Sequence, residues 1–164
     1  MLQENSLARF SFVCIACAIA LPVPAGSTTA PENIYAQKLV NDTIETYPDL
    51  LVLALHVTPP ESSDNVIIAS NIGLIGKRAD AEDLKVINTG ETFAKINEFG
   101  NRTEVEQPLH DVSQRRIGVI AMVFAYKVGD DKSQFLTKAA RIRDELERKI
   151  PDAASLMKPN ASGP

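Results

Sequence analysis

The stretch Glu104–Tyr126, EVEQPLHDVSQRRIGVIAMVFAY, decides how this chain folds. It reads as two strands folded on the polar turn between Asp111 and Arg116. The second strand, Ile117–Tyr126, carries no charged side chain over its ten residues. Successive side chains of a strand point to opposite faces, so a strand apolar throughout has to be covered on both. This segment is therefore the expected centre of a sheet, and the other elements divide according to which face they cover.

Immediately upstream, Arg102–Leu109 alternates, with Thr103, Val105 and Leu109 on one side. Thr92–Asn97 is a shorter strand candidate, joined to it across Gly100-Asn101. Further back, Leu50–Thr58 (LLVLALHVT) is a dense apolar run stopped by Pro59-Pro60. Val66–Ser70 (VIIAS) is rich in β-branched residues, and the two runs pair as a hairpin. From Asn71 to Gly90 the pattern breaks up around Gly73, Gly76 and Gly90, with a short helix over Ala79–Val86. A connection of that length inside a compact domain is often a lid or a pocket wall. Ile34, Tyr35, Leu39, Val40, Thr43, Ile44 and Tyr47 form one stripe of a helix that opens near Pro31 and stops at Pro48. Asp130-Asp131 caps a final helix, Lys132–Ile150, which Pro151 ends, and Asp152–Pro164 reads as a flexible tail. The order predicts an α+β fold: a five-stranded antiparallel sheet with the N- and C-terminal helices packed on one face.

The chain has 164 residues, 45% of them apolar, and a net charge of -4. That length fits one main domain, and the acidic balance argues against a nucleic-acid partner. Phe10–Val23 is an apolar run preceded by Arg9 and broken by Pro22 and Pro24. It falls short of the about 20 apolar residues of a membrane span. With the small residues around Ala25 it reads as a secretory signal peptide over residues 1–25, followed by a linker over 26–30. Both cysteines, Cys14 and Cys17, lie inside it, so the processed chain would carry neither thiol nor disulfide. Localisation is accordingly expected to be periplasmic or secreted, with no integral membrane span after cleavage.

Three groups of residues carry a resemblance to a known family. They are Val86-Ile87-Asn88-Thr89-Gly90 before the third strand, Pro108-Leu109-His110-Asp111 at a strand end, and Ile117-Gly118-Val119-Ile120 opening the last strand. In order and spacing they resemble the single Cache domain, a PAS-like extracellular sensor module, over most of Pro31–Ile150. The family often has Gly in the turn after its Asp, whereas this chain runs Asp111-Val112-Ser113-Gln114-Arg115-Arg116. The amino-acid-binding subset of the family has a Trp in its signature, and this chain contains no Trp. The resemblance implies small-molecule binding between the sheet and the long connection, with helices on the other face.

The last strand offers two surfaces for those roles. Ile117, Val119, Ala121, Val123 and Ala125 form a small, even surface suited to close helix packing. Gly118, Ile120, Met122, Phe124 and Tyr126 form the other, an adaptable surface with one polar tip, which predicts Gly118, Met122, Phe124 and Tyr126 as ligand contacts. Lys95 on the third strand and Arg78 in the connection are further candidates, Arg78 as a fork for an anionic group. Core packing under the connection, or plain solvation of Lys77 and Arg78, explains the same residues.

No catalytic signature is present. Gly73–Arg78 (GLIGKR) lacks the first Gly and the final Ser or Thr of a phosphate loop. The two histidines are His56, in a strand, and His110 beside Asp111, and neither stands at metal-ligand spacing. No cofactor or metal is expected. The leading expectation is a stand-alone Cache-like domain that binds a small molecule and signals through a separate envelope protein. The alternatives are a structural or interaction subunit with a filled pocket, and an enzyme acting through His110 and Asp111.

Overall fold

In the computed structural model, which describes residues 33–97 and 100–160, the elements follow the expected order. They are α1 (Tyr35–Thr46), β1 (Leu50–Val57), β2 (Val66–Ser70), α2 (Ala81–Thr89), β3 (Phe93–Asn97), β4 (Arg102–His110), β5 (Arg116–Ala125) and α3 (Lys132–Glu147), closed by a 3₁₀ turn at Ala154–Met157. The strands form one sheet in the order β2-β1-β5-β4-β3, with every neighbouring pair antiparallel. β5 is central, as a strand apolar on both faces requires. The chain thus has the α+β architecture read from its pattern, a five-stranded antiparallel sheet with its terminal helices on one face.

The terminal helices share one face. Leu39 and Val40 of α1 and Phe135, Ala139, Ile142 and Leu146 of α3 join Leu53, Leu55, Val105, Ile120, Met122 and Phe124 in a single buried cluster. Which face they cover is the reverse of the expectation. Met122 and Phe124 are fully buried under the helices, and Phe135 of α3 stands 5.9 Å from the Phe124 ring and 6.2 Å from that of Tyr126. The small surface of Val119, Ala121 and Val123 lies on the opposite side, where α2 crosses β4 and β5. The reason is volume. Each large side chain gains roughly 1.5–3 kcal/mol on full burial. Two long helices bury several of them at once, while a nine-residue helix cannot.

The connection before α2 is ordered by the edge of β2. Ile67 donates to the Lys77 carbonyl at 2.9 Å and accepts from Gly76 at 2.8 Å, and Ala79 donates to Asn65 at 2.9 Å. Covering an edge strand this way hides its unpaired backbone groups. Asp80 then caps α2 in a reciprocal box with Asp83, and Gly90, at φ 78°, ends it. The helix therefore starts two residues later than the apolar pattern suggests and runs three further.

Asp152–Asn160 is not a loose tail. Leu156 is fully buried in the main core, Tyr35 donates its amide to the Lys158 carbonyl at 2.9 Å, and Ile34 pairs with Pro159. α3 ends at Glu147, three residues short of the Ile150 expected from Pro151, and the chain beyond the proline still belongs to the domain, because one further apolar residue finds a gap beside α1. Residues 1–25, the linker over 26–30 and the last four residues of the expected tail lie outside the described residues, as do Pro31 and Glu98.

The β4–β5 turn is built on Asp111. Its Oδ1 accepts from the amides of Ser113 at 2.9 Å and Arg115 at 3.1 Å, and its Oδ2 accepts from Arg115 Nε at 2.8 Å. Gln114 adopts φ 61°, the left-handed conformation that glycine enters without a side-chain penalty. That conformation costs a side-chain-bearing residue about 1–2 kcal/mol, part of which glycine returns through its freer unfolded chain. Gln114→Gly is expected to stabilise the protein by about 0.5–1 kcal/mol, read as a higher urea midpoint at unchanged slope; an unchanged or lower midpoint would show that the turn is not strained.

Candidate functional site

Beneath α2 the sheet is polar where its other face is apolar. Cross-strand partners point the same way, which puts His56 beside Val119, Glu106 beside Ala121, and Lys95 beside Glu104 and Val123. α2 contributes Asp80 at its cap and Asp83 in its first turn. His56, Asp83 and Glu106 are 4%, 3% and 4% exposed, and Asp83 stands close to both of the others, so three ionisable side chains from three elements sit side by side with little water.

The local bonds fix where these groups point. Asp80 Oδ1 accepts from the amides of Glu82 at 3.1 Å and Asp83 at 3.2 Å, and Asp83 Oδ2 accepts from the Asp80 amide at 3.0 Å. The same Asp83 oxygen lies 3.3 Å from His56 Nδ1. Asp80, Asp83 and Glu106 each bring one oxygen within 4.8 Å of the others. His56 Nδ1 and Glu106 Oε2 nevertheless have no hydrogen-bond partner among the described residues. Thr103 Oγ1 and Gln107 Oε1 are also unpartnered, but they are neutral groups on the opposite face of β4.

Burial dominates the electrostatics. It pushes the Glu106 carboxyl up to about 8, with Asp83, Glu104 and Asp80 adding repulsion. Asp83 and Glu104 are raised for the same first reason. Burial also lowers the His56 imidazole, against the attraction of Asp83 and Asp80. Several carboxylates in one poorly solvated space cannot all ionise, so the cluster holds a proton at neutral pH that exposed carboxyls would lose.

The anticipated contacts fall elsewhere, with one exception. Met122, Phe124 and Tyr126 are core beneath the terminal helices. At Gly118 the close approach is made by β1, since a Cβ there would stand 1.9 Å from the His56 carbonyl oxygen. Arg78 is exposed and bonds Asp64 at 2.7 Å. Lys95 is exposed on β3 but shares the face of the cluster, opposite Glu104. His110 and Asp111 do not act as a pair. His110 Nδ1 meets Glu147 Oε1 of α3 at 2.9 Å, while the Asp111 carboxylate is taken up by Arg115 and the turn amides.

Glu106, Asp83 and Asp80 are the residues that the sequence pattern did not single out. Two signals pointed to them. Glu104 and Glu106 lie two apart in a strand next to the central one, and Asp80-Ala81-Glu82-Asp83 has the spacing of a capping box.

No protein-family model matches the sequence, and no curated protein is similar to it. Among solved structures, the chain is similar to the GAF domain of a two-component sensor histidine kinase from Bacillus halodurans, with 13% identity and a TM-score of 0.49, over 69% of this chain and 91% of that one. It is also similar to a double mutant of the inducer-binding domain of the PobR transcription factor from Acinetobacter, in complex with 3-hydroxybenzoic acid. There the identity is 8% and the TM-score 0.44, over 71% of this chain and 95% of that one. Neither likeness, at such identity and overlap, says what this chain binds.

A pH experiment reads the cluster directly. The folded chain keeps the Glu106 proton up to about 8, whereas an unfolded glutamate releases it near 4.5. This contribution to stability is complete below 4.5 and is lost as pH rises through 8. His56 works the other way, its contribution fading as pH falls below 6.5, so the window above pH 7 leaves His56 out. With a chelator present, stability should fall between pH 7 and 8 by up to about 1.4 kcal/mol per unit and level off above 8. Glu106→Gln should flatten that slope; an equally steep slope in the variant would refute the assignment.

Proposed function

We propose that this chain is a secreted or periplasmic sensor domain of the Cache-like kind, which binds a small ligand on the α2 face and passes the bound state to a signalling partner. The observation that carries the reading is the pair of buried polar atoms, His56 Nδ1 and Glu106 Oε2, that make no hydrogen bond among the described residues, on the face that α2 covers. Leaving such groups unsatisfied costs about 1–3 kcal/mol each, more when charged, and a ligand that meets them offsets that cost. α2 is the element that ligand binding would move, because it joins the sheet through Val86, the Asp83 carboxylate and a bond from Arg116 to the Ile87 carbonyl.

The envelope location rests on residues 1–25 and their signal-peptide pattern. No described helix is long and apolar enough to cross a membrane. Intact mass of the exported protein tests this reading, since a chain still carrying residues 1–25 would contradict it.

The interaction-subunit reading has one observation in its favour. Ile72, Leu74 and Ile75, in the loop before α2, are 53%, 54% and 40% exposed. The packing of Met122 and Phe124 does not discriminate, because it belongs to the helical core in either case. Thermal denaturation of the purified protein against a panel of metabolites and cations separates the two. A ligand at a hundred times its dissociation constant adds about 2.7 kcal/mol of stability and lifts the midpoint by several degrees. A midpoint unmoved across the whole panel would sink the sensor reading.

A further inference from the structure

We infer that the α2 face is a site for a divalent transition-metal cation of the Zn2+ or Mn2+ kind, held by Asp80, Asp83 and Glu106 with His56 as its nitrogen donor. The inference rests on the ligand-binding reading and names the ligand's class. Three carboxylate oxygens already lie within 4.8 Å of one another. Ligands bonded at 2.0–2.2 Å around a tetrahedral ion stand about 3.3–3.6 Å apart. The His56 Nδ1 to Asp83 Oδ2 separation of 3.3 Å is of that size, so the imidazole borders the carboxylate group through Asp83.

Acidic residues gathered at a helix start do not by themselves make a site. Here two further facts point to an occupant. Glu106 Oε2 is unpartnered in a side chain that is 4% exposed, and it belongs to the carboxylate group that converges on this space. The His56 nitrogen is equally buried, makes no hydrogen bond among the described residues, and faces Asp83 of α2 from β1. A carboxylate set would suit Ca2+ or Mg2+, but an imidazole shifts the preference toward transition metals. Asp80, on the exposed rim, leaves the ion a way in.

The ligands come from β1, the start of α2, and β4, at positions 56, 80, 83 and 106. The expectation of no metal rested on spacing along the chain. Residues this far apart in sequence have no metal-binding spacing to show, and only the sheet register brings them together.

Isothermal titration of the chelator-stripped, full-length protein with Zn2+, Mn2+, Ca2+ and Mg2+ tests the assignment. One equivalent of Zn2+ or Mn2+ should bind more tightly than Ca2+ or Mg2+ and raise the thermal midpoint. Affinity should drop at least about tenfold in Glu106→Gln and in Asp83→Asn, since even outer-sphere changes cost that much. Cobalt substitution adds a readout that a merely structural role would leave alone: the visible Co2+ spectrum should change in His56→Gln. Should Asp83→Asn fail to fold, Glu106→Gln, which keeps the shape of the side chain, decides alone. Cation binding that survives Glu106→Gln unchanged overturns the inference by placing the ion elsewhere. Absence of cation binding beside a metabolite that shifts the midpoint overturns it and leaves the sensor reading standing; absence of both removes the two together.

Discussion

The sheet depends on the pairing of β1 with β5, and that pairing depends on a missing side chain. The order β2-β1-β5-β4-β3 makes β1–β5 the seam between the N-terminal hairpin and the three-stranded C-terminal meander. Along the seam the His56 carbonyl oxygen occupies the space a Cβ on residue 118 would need, 1.9 Å away. Glycine there lets the two backbones close to bonding distance. The contact also holds residue 56 in place, so the joint that completes the apolar core presents the imidazole to α2 on the other face.

The two faces of that sheet obey different economies. One is covered by two long helices and an ordered C-terminal segment, and its stability comes from apolar volume: Leu53, Leu55, Ile120, Met122 and Phe124 against Phe135, Ile142 and Leu146. The other is covered by a short helix whose own buried positions are Asp83 and Val86. Such a helix contributes little hydrophobic energy, and it is attached instead through the Asp83 carboxylate beside His56 and the bond from Arg116 to the Ile87 carbonyl. A segment held in this way opens at lower cost than the core does.

The turn at Asp111 shows how the C-terminal half is fixed to the rest. The Asp111 carboxyl is held below its usual range: burial opposes the charge, but the Arg115 amide and guanidinium and the Ser113 amide outweigh it. Val112 then donates to the Ile150 carbonyl at 2.9 Å, and Glu147 receives the His110 amide at 2.8 Å, so the turn clamps the end of α3. His110 and Asp111 are neighbours with separate structural tasks. Adjacency in a chain does not make a pair when successive side chains diverge.

Local pattern alone was enough to determine the five strands, the three helices, the central place of β5 and the antiparallel order of the hairpins. Each follows from hydrophobic period and turn residues within a short window, as in the uncharged run Ile117–Ala125 and the Pro59-Pro60 stop just beyond β1. Tertiary structure alone decided which face of β5 meets the helices, because alternation reveals two faces without saying which has the greater depth to fill. It also decided that Leu156 belongs to the core and that His56, Asp83 and Glu106 converge. Those residues lie on three elements, and their meeting depends on register across β1, β5 and β4 and on the path of the connection along β2. Such contacts are set by the packing of the whole, and no window of sequence contains them.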